Sequence, residues 1–105
     1  MIYAFATFEV DTAKFELRKS GRTISVEPQV FAVIRLLIEN RDRMVSKTEL
    51  VDAVWDGRAV SESAISSRIR SARNAIEDDG KAQRVIQTVH GRGFRFLASV
   101  EELPT

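Results

Sequence analysis

Between Ser63 and Asn74 the chain reads Ser-Ala-Ile-Ser-Ser-Arg-Ile-Arg-Ser-Ala-Arg-Asn, three arginines, four serines and an asparagine with no carboxylate among them. Guanidinium, hydroxyl and amide groups donate to phosphate oxygens and to base edges, so this residue set suits a nucleic acid. At about 100° per residue, Ile65, Ile69, Ala72 and Ile76 share one narrow face of a helix. Ser63, Ser67, Arg70 and Asn74 fall opposite, with Ser66 and Ser71 on the shoulders and Arg68 and Arg73 flanking the apolar stripe. A solvated helix face ordinarily mixes both charge signs and favours Glu and Lys. The outward face here does neither, and its small first-turn hydroxyls leave room for a groove wall. A plain basic solvent face is the competing reading of the helix alone.

A second basic feature lies downstream. His90-Gly91-Arg92-Gly93 reads as the tip of a hairpin between Val85–Val89 and Phe94–Phe96, with Arg95 on the returning strand. Arg92 at a slim tip suits a minor groove, where narrow width concentrates negative potential. Other chemistries lack their residues. One histidine and no cysteine disfavour a transition-metal site. No Gly-x-Ser-x-Gly elbow or glycine-rich phosphate loop occurs, and Asp78-Asp79-Gly80 lacks the alternating ligands of a calcium loop. The expectation is no catalytic residue, no metal, no cofactor and no small-molecule site. Trp55, the only tryptophan, is expected in the core or at its rim.

The elements that must carry these groups follow from periodicity. Tyr3–Val10 reads as a strand, and the alternating segments Phe15–Arg18 and Thr23–Val26 flank a Ser20-Gly21 turn. Pro28 opens a helix whose Phe31, Ile34, Leu37 and Ile38 recur at helical spacing up to Asn40. Ser46-Lys47-Thr48-Glu49 is a capping box opening a second helix, with Leu50 and Val54 inward, which breaks at Asp56-Gly57-Arg58. The third helix runs from about 61 to 77. Residues 1–98 therefore form one domain, and 99–105 read as a tail or the start of a linker.

Charge agrees with this layout only when taken by segment. The 105 residues hold 16 Lys+Arg and 15 Asp+Glu, a formal net charge of +1. Residues 61–96 alone hold seven basic and four acidic side chains, +3. The apolar start Met1–Phe8 has no preceding Lys or Arg and fails as a signal peptide, and the longest other apolar run, Val30–Ile34, is far too short for a bilayer. A cytoplasmic location is expected.

With these residues in view, the chain resembles the winged-helix DNA-binding (effector) domain of the OmpR/PhoB class of bacterial transcriptional regulators. The resemblance runs from Phe5 to Leu97. It is carried by Glu27-Pro28-Gln29-Val30-Phe31, by Ser46–Leu50 through Trp55, by Ile69–Ile76 and above all by Ile86-Gln87-Thr88-Val89-His90-Gly91-Arg92-Gly93-Phe94-Arg95-Phe96. It implies an α+β winged helix-turn-helix: an N-terminal four-stranded antiparallel sheet, three helices and a C-terminal hairpin wing. The third helix would read the major groove and the wing the adjacent minor groove of double-stranded DNA. The resemblance further implies that Arg70 and Arg73 contact phosphates and that Ser66, Ser67 and Ser71 face bases. Thr88 and Trp55 would sit near phosphates, loop 56–60 would meet RNA polymerase or a neighbouring subunit, and two copies would bind tandem half-sites. Ser71 stands where many members carry a second arginine, His90 where the wing carries an arginine, and Phe94 where tyrosine is common. These departures shift the expected balance from direct towards shape readout. Because the sequence opens at the first strand, no receiver domain is expected before it; it reads as the N-terminal part of a larger regulator. The alternative function is a winged-helix module used for protein–protein or RNA contact.

Overall fold

The computed structural model describes residues 1–104. Four strands come first: β1 (Ile2–Phe5), β2 (Phe8–Asp11), β3 (Glu16–Lys19) and β4 (Arg22–Ile24). The single strand expected over Tyr3–Val10 is two strands, folded back at Ala6-Thr7 with Ala6 at a φ of 49°. No glycine marks that turn, and the apolar residues run through both strands, so the pattern hides it. The β3–β4 turn is legible: Ser20 and Gly21 both take positive φ, 50° and 81°, as a two-residue hairpin turn requires.

Three helices follow, α1 (Pro28–Glu39), α2 (Lys47–Trp55) and α3 (Glu62–Ala75). Pro28 occupies the first turn of α1, and Val30, Phe31, Val33, Ile34, Leu37 and Ile38 are buried along it. Each such side chain stabilises the fold by about 1.5–3 kcal/mol through removal from water. The α2 capping box forms in full: Ser46 Oγ accepts from the Glu49 N–H at 3.1 Å, and Glu49 Oε2 accepts from the Ser46 N–H at 2.8 Å. Helix α3 ends on Glu77, at a φ of 59°, with the Asp78 N–H reaching Arg73 O at 2.8 Å and the Glu77 N–H reaching Asn74 O at 3.3 Å. This is a Schellman stop with glutamate in the place glycine usually takes.

A short strand β5 (Val45–Ser46) precedes α2, and the hairpin β6 (Ile86–Val89) and β7 (Gly93–Phe96) follows α3. They form a second sheet in the order β5-β7-β6. The last segment corrects an expectation. Residues 99–105 were to trail off as a tail, but Glu101–Leu103 form β8, antiparallel to β1 with Ile2 opposite Leu103 and Ala4 opposite Glu101. The first sheet thus has five strands, β4-β3-β2-β1-β8. Too short to show a period and rich in glutamate, β8 gives no strand signal by itself; it completes the free edge of β1.

Both sheets and all three helices share one core. Phe5, Phe8, Val10 and Leu17 from the first sheet meet Ile34 and Leu37 of α1, Leu50 of α2, Ile65 and Ile69 of α3, and Ile86 and Phe96 of the wing. Phe5 stacks on Phe8 at 5.6 Å and meets Phe96 edge-on at 5.1 Å, so the wing is anchored to the N-terminal sheet.

Candidate nucleic-acid interface

Ser61 caps α3, its Oγ accepting from the Ala64 N–H at 3.1 Å. Ile65, Ile69 and Ala72 are buried beneath the helix. Ser63, Ser66, Ser67, Arg70 and Asn74 consequently lie exposed on its outer face, with Ser71 half-buried beside them. Between this face and the wing runs a groove of about 630 Å³. It brings together Ser66, Arg70, Arg73 and Asn74 of α3, Thr88 and His90 of the wing, and Lys47 of α2. Arg92 and Arg95 project from the wing into solvent beyond it.

Two of the candidate arginines are engaged inside the protein. Arg68 Nε donates to Gln29 Oε1 of α1 at 2.8 Å. Arg73 is only 8% exposed. Its Nε and one terminal nitrogen donate to Ile86 O at 3.2 and 2.9 Å, and that nitrogen also donates to Thr88 Oγ1 at 2.8 Å. Burial holds its pKa below the usual guanidinium value, partly offset by the Asp78 and Asp79 carboxylates. Arg73, expected to contact a phosphate, lines the groove but commits its Nε and one terminal nitrogen inside the protein. It sits four residues from Ile69, on the flank where the wing strand covers the helix, and the carbonyl there takes its donors. Thr88, expected near a phosphate, accepts from the same guanidinium through its Oγ1. Trp55 is half-buried against the core, at its rim.

Sequence reasoning missed several supporting residues. Lys47 follows the capping serine; its Nζ pairs with Glu62 Oε2 at 2.9 Å, and its N–H donates to Arg92 O at 3.3 Å. The capping box located Lys47 in a first turn, but nothing local shows that the wing returns to it. Asp78 was read as part of a helix-ending acidic run, yet it is buried and accepts from the N–H groups of Arg84, Val85 and Ile86 at 2.8–3.0 Å. Burial pushes its pKa up, but these three donors outweigh it and leave the carboxyl below its ordinary value. At the tip, Gly91 takes a φ of 73°, and the Arg92 N–H closes the turn on Val89 O at 2.9 Å. Gly93 has a different reason to be glycine: a Cβ there would sit 2.0 Å from Val45 O of β5.

Charge is partitioned between the two halves of the molecule. Among the described residues, every cation in an ion pair lies between residues 18 and 47: Arg18 with Glu9, Asp11 and Glu16, then Lys19–Glu77, Arg35–Glu39, Arg41–Glu102, Arg43–Glu49 and Lys47–Glu62. Among the described residues, no Lys or Arg from Arg68 to Arg95 pairs with a carboxylate. The acids nearest the groove are also engaged: Glu62 with Lys47, and Asp79 with the N–H groups of Lys81 and Ala82. The α3–wing face is left with Arg70, Arg92 and Arg95 as free positive charges.

Comparison with known proteins agrees with this architecture. The Thermotoga maritima response regulator DrrB, an OmpR/PhoB homologue, superposes with a TM-score of 0.81 at 29% identity, covering 91% of this chain and 44% of that one. The Klebsiella pneumoniae RstA DNA-binding domain, solved in complex with the RstA box, shares the fold with a TM-score of 0.80 at 15% identity, covering 91% and 96%. The transcriptional regulator HilA of Salmonella typhi is 34% identical over 80 residues, which are 76% of this chain and 14% of that regulator's length. The chain thus spans about a seventh of the HilA-type relatives it matches. Residues 21–96 match the family described as transcriptional regulatory protein, C terminal. On that match and the winged-helix architecture that carries it, the chain belongs to this family of OmpR/PhoB-type regulator domains.

Proposed function

We propose that this domain binds double-stranded DNA sequence-specifically as the effector part of a bacterial transcriptional regulator, with α3 in the major groove and the β6–β7 wing at the adjacent minor groove. The observation that carries the reading is the placement of the ion pairs: among the described residues every paired cation lies between residues 18 and 47, whereas Arg70, Arg92 and Arg95 have no carboxylate partner. Unneutralised guanidinium groups on α3 and on the wing exchange for the counterions of a duplex. The exposed Ser63, Ser66, Ser67 and Asn74 supply short donors and acceptors for base edges, and Arg70 reaches the flanking phosphates. DNA binding by RstA on the same fold supports the reading.

Three free arginines make a modest electrostatic footprint, so two copies on tandem half-sites would supply affinity that one lacks. The loop 56–60, exposed from Asp56 to Ala59 and with Asp56 and Gly57 at positive φ of 53° and 74°, is the surface left for RNA polymerase or a second copy. Selection of bound duplexes from a random pool tests the proposal. Enrichment of a repeated half-site with a fixed spacing near one helical turn is the expected result; a pool that stays random after repeated rounds contradicts it.

A further inference from the structure

Beside the apolar core that α3 and the wing share, one buried cation bridges the two walls of the groove, and that junction has consequences for recognition. Arg73 projects from α3 and ends on the outer edge of β6, the edge that β7 does not pair. Both backbone polar groups of Ile86 on that edge are held by charged side chains: its carbonyl by Arg73 and its N–H by Asp78 Oδ2 at 2.9 Å. Two residues on, Thr88 is held in the same way, its hydroxyl by Arg73 and its N–H by Gln83 Oε1 at 2.8 Å. The exposed edge of the wing is thus covered by side chains rather than by another strand. His90 and Arg92 lie two and four residues beyond Thr88, at the end of this secured edge.

We infer that Arg73 is a positioning residue: through Ile86 O and Thr88 Oγ1 it fixes where the wing tip stands relative to α3, so that minor-groove contact by the wing and major-groove contact by the helix are energetically coupled. The inference rests on the DNA-binding reading for its functional half. Its physical basis is geometric. A guanidinium fork holding a carbonyl and a hydroxyl at once sets both distance and orientation, which an ammonium cannot reproduce. The competing role for Arg73, direct contact with phosphate, needs only its charge.

A double-mutant cycle on a duplex recovered from the random pool separates the two roles. Arg73→Lys keeps the charge and loses the fork. It should weaken binding about tenfold in the otherwise unchanged chain and less than about threefold when Arg92 is already alanine, because a misplaced tip has nothing left to lose. Thr88→Val, which removes the hydroxyl and retains the shape, should follow the same pattern more weakly. Equal losses in both backgrounds would assign Arg73 an independent contact with DNA and overturn the inference. Amide hydrogen exchange of the free protein gives a second reading that does not depend on DNA. In Arg73→Lys the N–H groups of residues 84–90 should lose protection while those of α1 keep theirs. If no duplex is bound, the DNA-binding reading fails and exchange alone decides the clamp: local loss supports it, and unchanged or uniformly lowered protection rejects it.

Discussion

Arg70 and Arg92 make opposite predictions although both are exposed arginines. Arg70 stands on the outer face of α3 without a carboxylate partner. Arg70→Ala should weaken binding to all duplexes alike and lower the salt dependence by about one counterion, as removal of a phosphate contact does. Arg92→Ala should instead flatten discrimination among flanking sequences, because the wing reads groove width; competition between A·T-rich and G·C-rich flanks measures it. Retention of full discrimination by the Arg92 variant would remove the wing's share. Gly93 is a third informative residue. Its substitution by alanine drives a Cβ into Val45 O and should cost about 3 kcal/mol in urea unfolding, the upper end for forced overpacking. Outward-facing residues such as Ser66, Arg70 and Asn74 were legible in the sequence because helical period alone sorts them. Arg73 was not, since its fate depends on a strand thirteen residues away that covers one flank of the helix.

Among the elements, α2 and the loop from α3 to the wing depend most on single side chains. The Arg43 guanidinium and the Ser46 N–H hold the Glu49 carboxyl down to about 2, from a model-peptide value of 4.5. A depressed folded-state pKa gives stability that is complete above the unfolded value and lost as pH falls through the folded one. Acid should therefore loosen α2 between about pH 4.5 and pH 2, and Glu49→Gln should flatten that part of the stability profile. Asp78, held low by its three backbone donors, acts with the same sign on the 84–86 segment. Loss of the cap in Ser46→Ala should cost about 1 kcal/mol near neutral pH, read from the urea midpoint. The capping box, Pro28 and the Ser20-Gly21 turn were readable because each states its geometry in adjacent residues. The Ala6-Thr7 turn, β5 and β8 were not. The first lacks a turn residue, and the other two are two- and three-residue strands that exist only because a partner edge lies beside them.

At the scale of the whole molecule, a net charge of +1 conceals a neutralised sheet-and-α1 half and a basic α3–wing half. The segment arithmetic pointed to that division, and the ion pairs give it a physical form: eight of the fifteen acids pair with cations between residues 18 and 47, and Asp78 and Asp79 accept from backbone donors. Binding should therefore be electrostatic in origin while the protein as a whole is nearly neutral. The measurement that tests this most directly is the affinity for a duplex over a range of salt concentrations. For one domain neutralising about three phosphates through its free arginines, log K should fall linearly with log salt at a slope of about −3, and less steeply by about one in Arg70→Ala. Absence of duplex binding at low salt, or a slope that neither Arg70→Ala nor Arg92→Ala changes, would contradict the α3–wing face as the site of DNA recognition.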